Sequence, residues 1–150
     1  MDSATIRVIA ICLFRRGGEI LVTEGFDTAN NRRYARPLGG GVELGETSEQ
    51  AIVREIREEL GAEVQDLKLL GVLENLFKLE GRQQHEVVFV YDGEFEDKSL
   101  YLSAEIPLLD GGWRTGAIWR PFAWFDEQCP LVPVGIEKLL TEQDCRATAR

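Results

Sequence analysis

Glu55, Glu58 and Glu59 are three acidic residues whose spacing could support metal chemistry. At positions i, i+3 and i+4 of a helix their carboxylates would share one face and repel one another by roughly 0.2–0.5 kcal/mol per pair. A hard divalent cation such as Mg²⁺ would favour this arrangement, because it takes oxygen ligands from one or two carboxylates together with substrate phosphates. The alternative is a solvated helix face, which is the ordinary reading of a Glu-rich helix.

The helix that carries these glutamates is predicted from both of its ends. Thr47, followed three residues later by Gln50, forms a capping-box pattern, and Gly61 is a typical C-terminal stop signal. The predicted helix therefore covers residues 48–60, with the glutamates facing a cleft and an apolar stripe facing the core. That stripe consists of Ile52, Val53, Ile56 and Leu60.

Three glycines precede the helix, at residues 39–41. Glycine lets the backbone approach a ligand closely and offers carbonyl or amide groups to it. A glycine loop that leads into an acidic helix therefore predicts a site for a phosphate group and a cation.

The fixed positions between Gly40 and Ala62 form a longer pattern. In order, they are Gly40, five residues, Glu46, seven residues, Arg54-Glu55-Ile56, one residue, Glu58-Glu59, one residue, Gly61 and Ala62. This pattern resembles the full signature of the Nudix hydrolase family (MutT-like), although Ala62 is smaller than the usual aliphatic residue. The resemblance is specific within residues 37–62. A length of 150 residues predicts a single domain over residues 1–150. The chain is similar to a bacterial subgroup of the family whose substrate is unsettled.

The resemblance implies a role for each part of the signature. Glu58 and Glu59 would be the principal ligands of Mg²⁺ or Mn²⁺, and the carbonyl of Gly39 would be a backbone ligand. Glu55 would be a further metal ligand or the catalytic base. Arg54 would orient the glutamates during catalysis.

Many members of the family add one more acid from beyond the signature, as a base or an extra metal ligand. Glu105 is the first candidate, because it lies in an irregular stretch that could close over a substrate. The alternatives are Glu86, Glu94 and Glu96. Within the signature, Glu46 would support the start of the helix.

A basic cluster lies just before the glycines in an otherwise acidic chain. Arg36 is the strongest candidate for a substrate phosphate contact, because a guanidinium can donate two parallel hydrogen bonds to a phosphate. Arg32 and Arg33 are weaker candidates that could simply be solvated. The backbone at Gly40 and Gly41 is the other predicted substrate contact.

Aromatic residues and the single histidine are interpreted mainly as structural. Trp113 follows two glycines and is the best candidate to stack on a nucleobase, whereas Trp119 and Trp124 are interpreted as packing residues. His85 is interpreted as a structural hydrogen-bonding residue, because the proposed chemistry does not require it.

Composition limits the function classes. A net charge of −9 over 150 residues disfavours nucleic-acid polymers and anionic membranes, whereas local arginines and a cation could still hold a small nucleotide substrate. Three cysteines without metal-ligand spacing argue against a disulfide framework and predict a cytoplasmic protein. The apolar run at residues 8–14 is too short to cross a membrane. A homodimer is the common default for a soluble assembly.

The remaining chain predicts an α+β fold, an α/β/α sandwich with a mixed β-sheet between helices, which the Nudix resemblance also implies. Strands are expected at residues 5–14, 19–24, 67–79, 84–91 and 116–125, with 87–91 covered on both faces. Loops are expected at residues 25–35 and, over the cleft, at 92–115. A closing helix is expected at residues 134–143, with residues 145–150 frayed.

The sequence thus predicts a Mg²⁺-dependent pyrophosphohydrolase. It would cleave a phosphoanhydride bond in a nucleoside diphosphate linked to a group X, such as a nucleoside triphosphate, a nucleotide sugar or ADP-ribose. The alternatives are a non-catalytic nucleotide-sensing or interaction module on the same fold and a plain cation-binding protein.

Overall fold

The computed structural model describes residues 4–109 and 116–148. The described residues contain eight strands, two α-helices and two short 3₁₀ helices. The strands are β1 (Ile6–Leu13), β2 (Arg15–Arg16), β3 (Glu19–Asp27), β4 (Arg32–Gly41), β5 (Val64–Leu79), β6 (Arg82–Phe95), β7 (Glu105–Ile106) and β8 (Ala117–Pro121). The α-helices are α1 (Ser48–Leu60) and α2 (Ile136–Thr148), and the 3₁₀ helices are Lys98–Leu102 and Phe122–Trp124.

The strands form one mixed sheet in the order β5-β6-β1-β4-β3-β8-β7, with β2 paired to β3. Strands β1 and β6 run parallel, from the pair Ile6–His85 to the pair Leu13–Asp92, and the other pairings are antiparallel. The predicted mixed sheet is confirmed.

The alternation of side-chain directions along β1 explains why one helix lies on each face of the sheet. Its side chains point alternately to opposite faces, as in any strand. One face packs against α1 through the cluster that includes Ala10, Cys12, Leu38, Ile52 and Ile56. The other face packs against α2 through the cluster that includes Ile9, Ile11, Val88, Ile136 and Leu140. The predicted α/β/α sandwich is therefore confirmed.

Helix α1 has the bounds that its sequence predicted. The Gln50 backbone N–H donates to Thr47 Oγ1 at 3.1 Å, and the Thr47 N–H donates to Gln50 Oε1 at 2.9 Å, which completes the capping box. At the other end the Gly61 N–H donates to the Arg57 carbonyl at 2.9 Å. The predicted helix is confirmed because both ends depend on local hydrogen bonds.

The loop predicted at residues 25–35 is wrong. Strand β3 continues to Asp27 and β4 begins at Arg32, so that only residues 28–31 form the turn. The Asp27 carboxylate accepts hydrogen bonds from the Ala29 N–H at 3.1 Å and from Asn30 Nδ2 at 2.8 Å. The turn formers in the sequence mark this short turn. The flanking residues, including the Glu24–Arg33 ion pair, extend the hairpin.

The glycines at residues 39–41 also belong to a strand rather than to a loop. They pair with β1, with Gly41 opposite Ile9 and Gly39 opposite Ile11. Glycine is depleted in strands, so this pairing is visible only once β1 lies beside them.

Strands β5 and β6 confirm the predicted segments and are longer than expected. Within β6, Val88 and Val90 pack on the α2 side, and Phe89 and Tyr91 pack on the α1 side. The prediction that residues 87–91 are covered on both faces is confirmed.

The irregular loop predicted at residues 92–115 is only partly correct. Strand β6 continues to Phe95, and the following 3₁₀ helix packs Leu100 and Tyr101 against the α1-side core. Residues 110–115 lie outside the described part of the chain. The predicted strand at 116–125 ends at Pro121, where the second 3₁₀ helix begins.

The closing helix begins and ends later than predicted. Residues 132–135 form bends and a turn, so that α2 starts at Ile136 and extends to Thr148. Within the described ranges, neither helix is long and apolar enough to cross a membrane.

Candidate active site

A cleft of about 320 Å³ opens where β4 changes its pairing partner. The first part of β4, up to Pro37, pairs with β3, and the part from Leu38 onward pairs with β1. The cleft is lined by Arg7, Ile9, Thr23, Arg36, Pro37, Leu38, Gly39, Gly40, Gly41, Glu55 and Glu59. Side chains from one helix and three strands therefore meet around the glycines.

The glycines are required because backbone and side-chain groups come very close to them. Gly39 has a φ angle of 149°, and a Cβ there would lie 2.0 Å from the Ala10 carbonyl oxygen. A Cβ at Gly40 would lie 2.5 Å from the carboxyl carbon of Glu55. The absence of side chains thus lets the Glu55 carboxylate lie against β4, as a site for close ligand approach requires.

Arg54 ties α1 to the end of β4. Its Nε and Nη2 donate to the two carboxylate oxygens of Glu46 at 2.8 and 2.9 Å, a bidentate pair. Nη2 also donates to the Gly41 carbonyl at 2.9 Å, and Nη1 donates to Glu55 Oε1 at 2.9 Å. This arrangement holds the Glu55 carboxylate at the cleft and supports the predicted orienting role of Arg54.

The same contacts set the charge states of the cluster. The hydrogen bonds from Arg54, with help from the Glu43 backbone, lower the pKa of Glu46 to about 2. The hydrogen bonds to Glu46 raise the pKa of Arg54 above its ordinary value. Both partners are therefore charged across the physiological pH range.

The predicted metal ligands occupy different environments. Glu55 and Glu59 line the cleft, together with the Gly39 backbone. The Glu58 side chain is 55% exposed and lies 3.4 Å from Arg54 Nη1. Among the described residues, no group of three or more His, Cys, Asp or Glu side chains is gathered closely enough to hold a metal ion. The donors are nevertheless the hard oxygens that Mg²⁺ prefers. The Glu55 carboxylate occupies the space that the missing side chain of Gly40 leaves.

The predicted substrate contacts divide into two groups. Arg36, Gly40 and Gly41 line the cleft. Arg32 instead donates to the Glu127 carbonyl at 2.9 Å, and Arg33 pairs with Glu24. Trp113 lies outside the described residues.

The candidates for an additional acid are scattered. Glu105 lies exposed in β7, paired with Ile118 of β8, and is not among the cleft-lining residues. Its catalytic role stays a prediction. Glu94 pairs with Lys98 at 3.3 Å, whereas Glu86 is 5% exposed and lies beside Arg7. The fourth candidate, Glu96, is exposed.

The two described tryptophans pack against aromatic neighbours. The buried Nε2 of His85 has no hydrogen-bond partner among the described residues, so its structural role stays a prediction. His85 Nε2 lies 3.7 Å from the Glu74 carboxylate. Trp119 is buried against Tyr101, with ring centroids 5.5 Å apart, and Trp124 packs against Phe125. None of these three residues lines the cleft that the described residues form.

Sequence reasoning missed Arg7 and Thr23, which both line the cleft. Arg7 precedes the apolar run of β1 and resembles an ordinary charged flank. Only the pairing of β1 with the end of β4 brings its guanidinium near Gly41, where a Cβ would lie 3.5 Å from Nη2. No local sequence signal could have identified it.

Comparison with known proteins agrees with this architecture. The NUDIX domain profile matches residues 4–106. The crystal structure of a MutT NUDIX hydrolase from Burkholderia pseudomallei is 25% identical, covers 91% of this chain and 97% of its own, and superposes with a TM-score of 0.65.

Two curated relatives share shorter regions. A protein provisionally named 8-oxo-dGTP diphosphatase YtkD, from Bacillus subtilis (strain 168), is 40% identical over 89 residues, covering 59% of this chain and 49% of its own length. A protein provisionally named mutator protein MutT4, from Mycobacterium tuberculosis (strain CDC 1551 / Oshkosh), is 32% identical over 99 residues, covering 53% of this chain and 40% of its own length. The alignments thus span half or less of these two relatives. Since the NUDIX profile matches well over half of the chain and the fold is that of a MutT structure, the chain belongs to the Nudix family.

Proposed function

We propose that this chain is a Mg²⁺-dependent pyrophosphohydrolase that acts on a nucleoside diphosphate linked to a group X. The observation that carries the proposal is that Glu55, Glu59 and Arg36 line one cleft around three glycines. Carboxylates there suit a cation, and a guanidinium suits the phosphate groups that the cation would accompany. The MutT-type relatives, one of them provisionally named a diphosphatase, support the same class of reaction.

The proposed reaction is attack of water on one phosphorus of the phosphoanhydride. The bond to the bridging oxygen breaks, its electron pair stays on that oxygen, and the products are a nucleoside monophosphate and phosphorylated X. When bound by Glu55, Glu58, Glu59 and the Gly39 carbonyl, Mg²⁺ would neutralise phosphate charge and lower the pKa of a bound water.

The protein residues have separable roles in this proposal. Arg54 fixes the Glu55 carboxylate through the 2.9 Å hydrogen bond to Oε1. Glu55 can then accept the proton of the attacking water if it is not itself a metal ligand. Arg36 binds a phosphate from the strand side of the cleft. Glu58, which lies 3.4 Å from Arg54 Nη1, would be a further carboxylate ligand of the ion.

The proposal also covers the cellular compartment and the oligomeric state of the protein. Cys12 and Cys129 are free, buried thiols, which supports a reducing compartment such as the cytoplasm. The proposed partner is a small nucleotide, acted on by a monomer or a homodimer.

The test is product release from a panel of nucleoside triphosphates, nucleotide sugars, ADP-ribose and dinucleoside polyphosphates, with Mg²⁺ or Mn²⁺. We expect turnover of at least one class of substrate. Glu58→Gln should lower turnover by more than about 100-fold, because changing even a residue that only supports a metal ligand lowers activity about 10–100-fold. Glu49→Gln is the matched control, because Glu49 lies exposed in the first turn of the same helix.

Two outcomes would contradict the proposal. Equal turnover in Glu58→Gln and the wild-type protein would remove the metal assignment. Nucleotide binding without turnover of any substrate would favour the non-catalytic sensing module.

A further inference from the structure

Arg7 and Glu86 form an ion pair at the rim of the cleft. They are opposite each other on the parallel strands β1 and β6, with 3.9 Å between Arg7 Nη1 and Glu86 Oε2. The Glu86 side chain is 6% exposed, whereas that of Arg7 is 57% exposed. The carboxylate is therefore inside the protein, whereas the Arg7 side chain is exposed and lines the cleft.

The polar partners of the buried Glu86 carboxylate lie at long distances. The hydrogen bond that Asn75 Nδ2 donates to Glu86 Oε1 is 3.5 Å long, and Arg7 Nη1 at 3.9 Å lies beyond hydrogen-bond distance. By contrast, the buried carboxylate of Asp27 accepts hydrogen bonds from the N–H groups of Ala29 and Glu80 at 3.1 Å and from Asn30 at 2.8 Å. A buried charge needs close partners to offset its desolvation. The desolvation of the Glu86 carboxylate is thus only weakly offset, which points to a functional reason for its position.

Arg7 lies beside Gly41, a residue that Arg54 also contacts. A Cβ at Gly41 would lie 3.5 Å from Arg7 Nη2, while the Gly41 carbonyl accepts a hydrogen bond from Arg54. The neighbouring Gly40 faces the Glu55 carboxylate. The two consecutive glycines therefore separate a carboxylate from an exposed guanidinium. A chain of phosphates could contact the guanidinium directly and the carboxylate through a cation that the carboxylate would hold.

We infer that Arg7 binds a phosphate oxygen of the substrate and that Glu86 is the positioning residue that holds the guanidinium there. This inference rests on the proposed function for the identity of the substrate, a phosphoanhydride. It adds a second arginine to Arg36, so that two strands, β1 and β4, each supply a phosphate contact.

The test measures binding of inorganic pyrophosphate by calorimetry, with Mg²⁺ in excess. We expect Arg7→Met to weaken binding about tenfold or more, because a hydrogen bond to a charged group is lost. Arg7→Lys should retain part of the affinity. The matched control is Arg82→Met, which removes the same charge from the first residue of β6, outside the cleft lining.

A double variant separates binding from folding. Arg7→Met alone leaves the buried Glu86 carboxylate without its cation, so its thermal midpoint should fall. Adding Glu86→Gln removes that charge and should restore the midpoint without restoring pyrophosphate binding. Recovery of wild-type affinity in the double variant would overturn the inference, because the loss would then be structural.

Turnover of a panel substrate then tests Glu86. Glu86→Gln should raise KM while kcat stays close to the wild-type value, with a smaller effect than Arg7→Met has. A lower kcat at unchanged KM would place Glu86 in the chemical step and overturn its positioning role. Absence of pyrophosphate binding by the wild-type protein, or equal binding by Arg7→Met and Arg82→Met, would overturn the role of Arg7. Arg7-dependent binding without hydrolysis of any substrate would support this inference and contradict only the proposed function.

Discussion

Two arginine–carboxylate groups flank the cleft, and they are built differently. Arg54 donates four hydrogen bonds of 2.8–2.9 Å, to Glu46, Glu55 and the Gly41 carbonyl, and its side chain is 23% exposed. Arg7 reaches Glu86 at 3.9 Å and is 57% exposed. The first group holds its arginine in one position, whereas the second leaves a guanidinium facing the cleft. The comparison indicates that Arg54 is committed to the protein and that Arg7 is available for a ligand.

Replacing Arg54, the arginine that its four hydrogen bonds hold in one position, should have the largest effect on turnover. We expect Arg54→Lys to lower turnover about 10–100-fold, because an ammonium cannot reproduce the bidentate pair with Glu46 and also hold Glu55. The lost charged hydrogen bonds should also lower the free energy of unfolding by about 1.5–3 kcal/mol. Steady-state kinetics and chemical denaturation check both effects.

Arg7→Lys is the comparison variant for that experiment. It should change KM more than stability, because the Arg7 side chain makes fewer close contacts. Similar losses of stability in the two variants would break the distinction between the rigid and the exposed arginine.

Gly40→Ala, which acts on the Glu55 carboxylate that Arg54 holds, should have an intermediate effect on turnover. The new Cβ would lie 2.5 Å from the carboxyl carbon of Glu55, so that the carboxylate must move away from β4. We expect turnover to fall about tenfold, since catalytic groups tolerate little displacement. Gly18→Ala is the matched control, because a Cβ there meets nothing within 4 Å and Gly18 has no positive φ angle. Equal activity of the two variants would show that the close approach of Glu55 to Gly40 is not needed.

The smallest effect should come from titrating Glu46. Arg54 lowers the pKa of Glu46 from 4.5 to about 2, so the ionised carboxylate stabilises the folded state at pH above 4.5. This contribution is lost as the pH falls from about 4.5 towards 2. Thermal midpoints of the wild-type protein and Glu46→Gln should therefore converge over that range. Parallel curves would show that the ion pair adds no pH-dependent stability.

Local patterns explain which parts could be predicted. Helix α1 was predictable to the residue because Thr47, Gln50 and Gly61 provide its end contacts from within the same segment. The glutamates and Arg54 share that helix, so their spacing alone places them on one face. Strand periodicity likewise predicted β1, β5 and β6, and the Nudix signature predicted the sandwich.

The predictions were wrong where the structure of a segment depends on pairing with a strand that is distant in the sequence. Residues 25–35 contain turn-forming residues, yet most of them are strand because β3 and β4 pair across the turn. Arg32 and Arg33 then lie away from the cleft, whereas Arg36, a few residues later in β4, lines it. One basic cluster in the sequence is thus divided by the geometry of a single strand.

The sequence by itself determined the family and helix α1, and it predicted the acids of the site and Mg²⁺ as their cation. Each of these follows from residues close together in the chain, where spacing and capping decide geometry. The tertiary structure alone decided the neighbours of Gly40 and Gly41, the division of the arginines, and the burial of Glu86 beside Arg7. The first two features arise where β4 passes from β3 to β1, and the third arises where β6 pairs with β1. Strand pairing over such sequence distances leaves no local pattern.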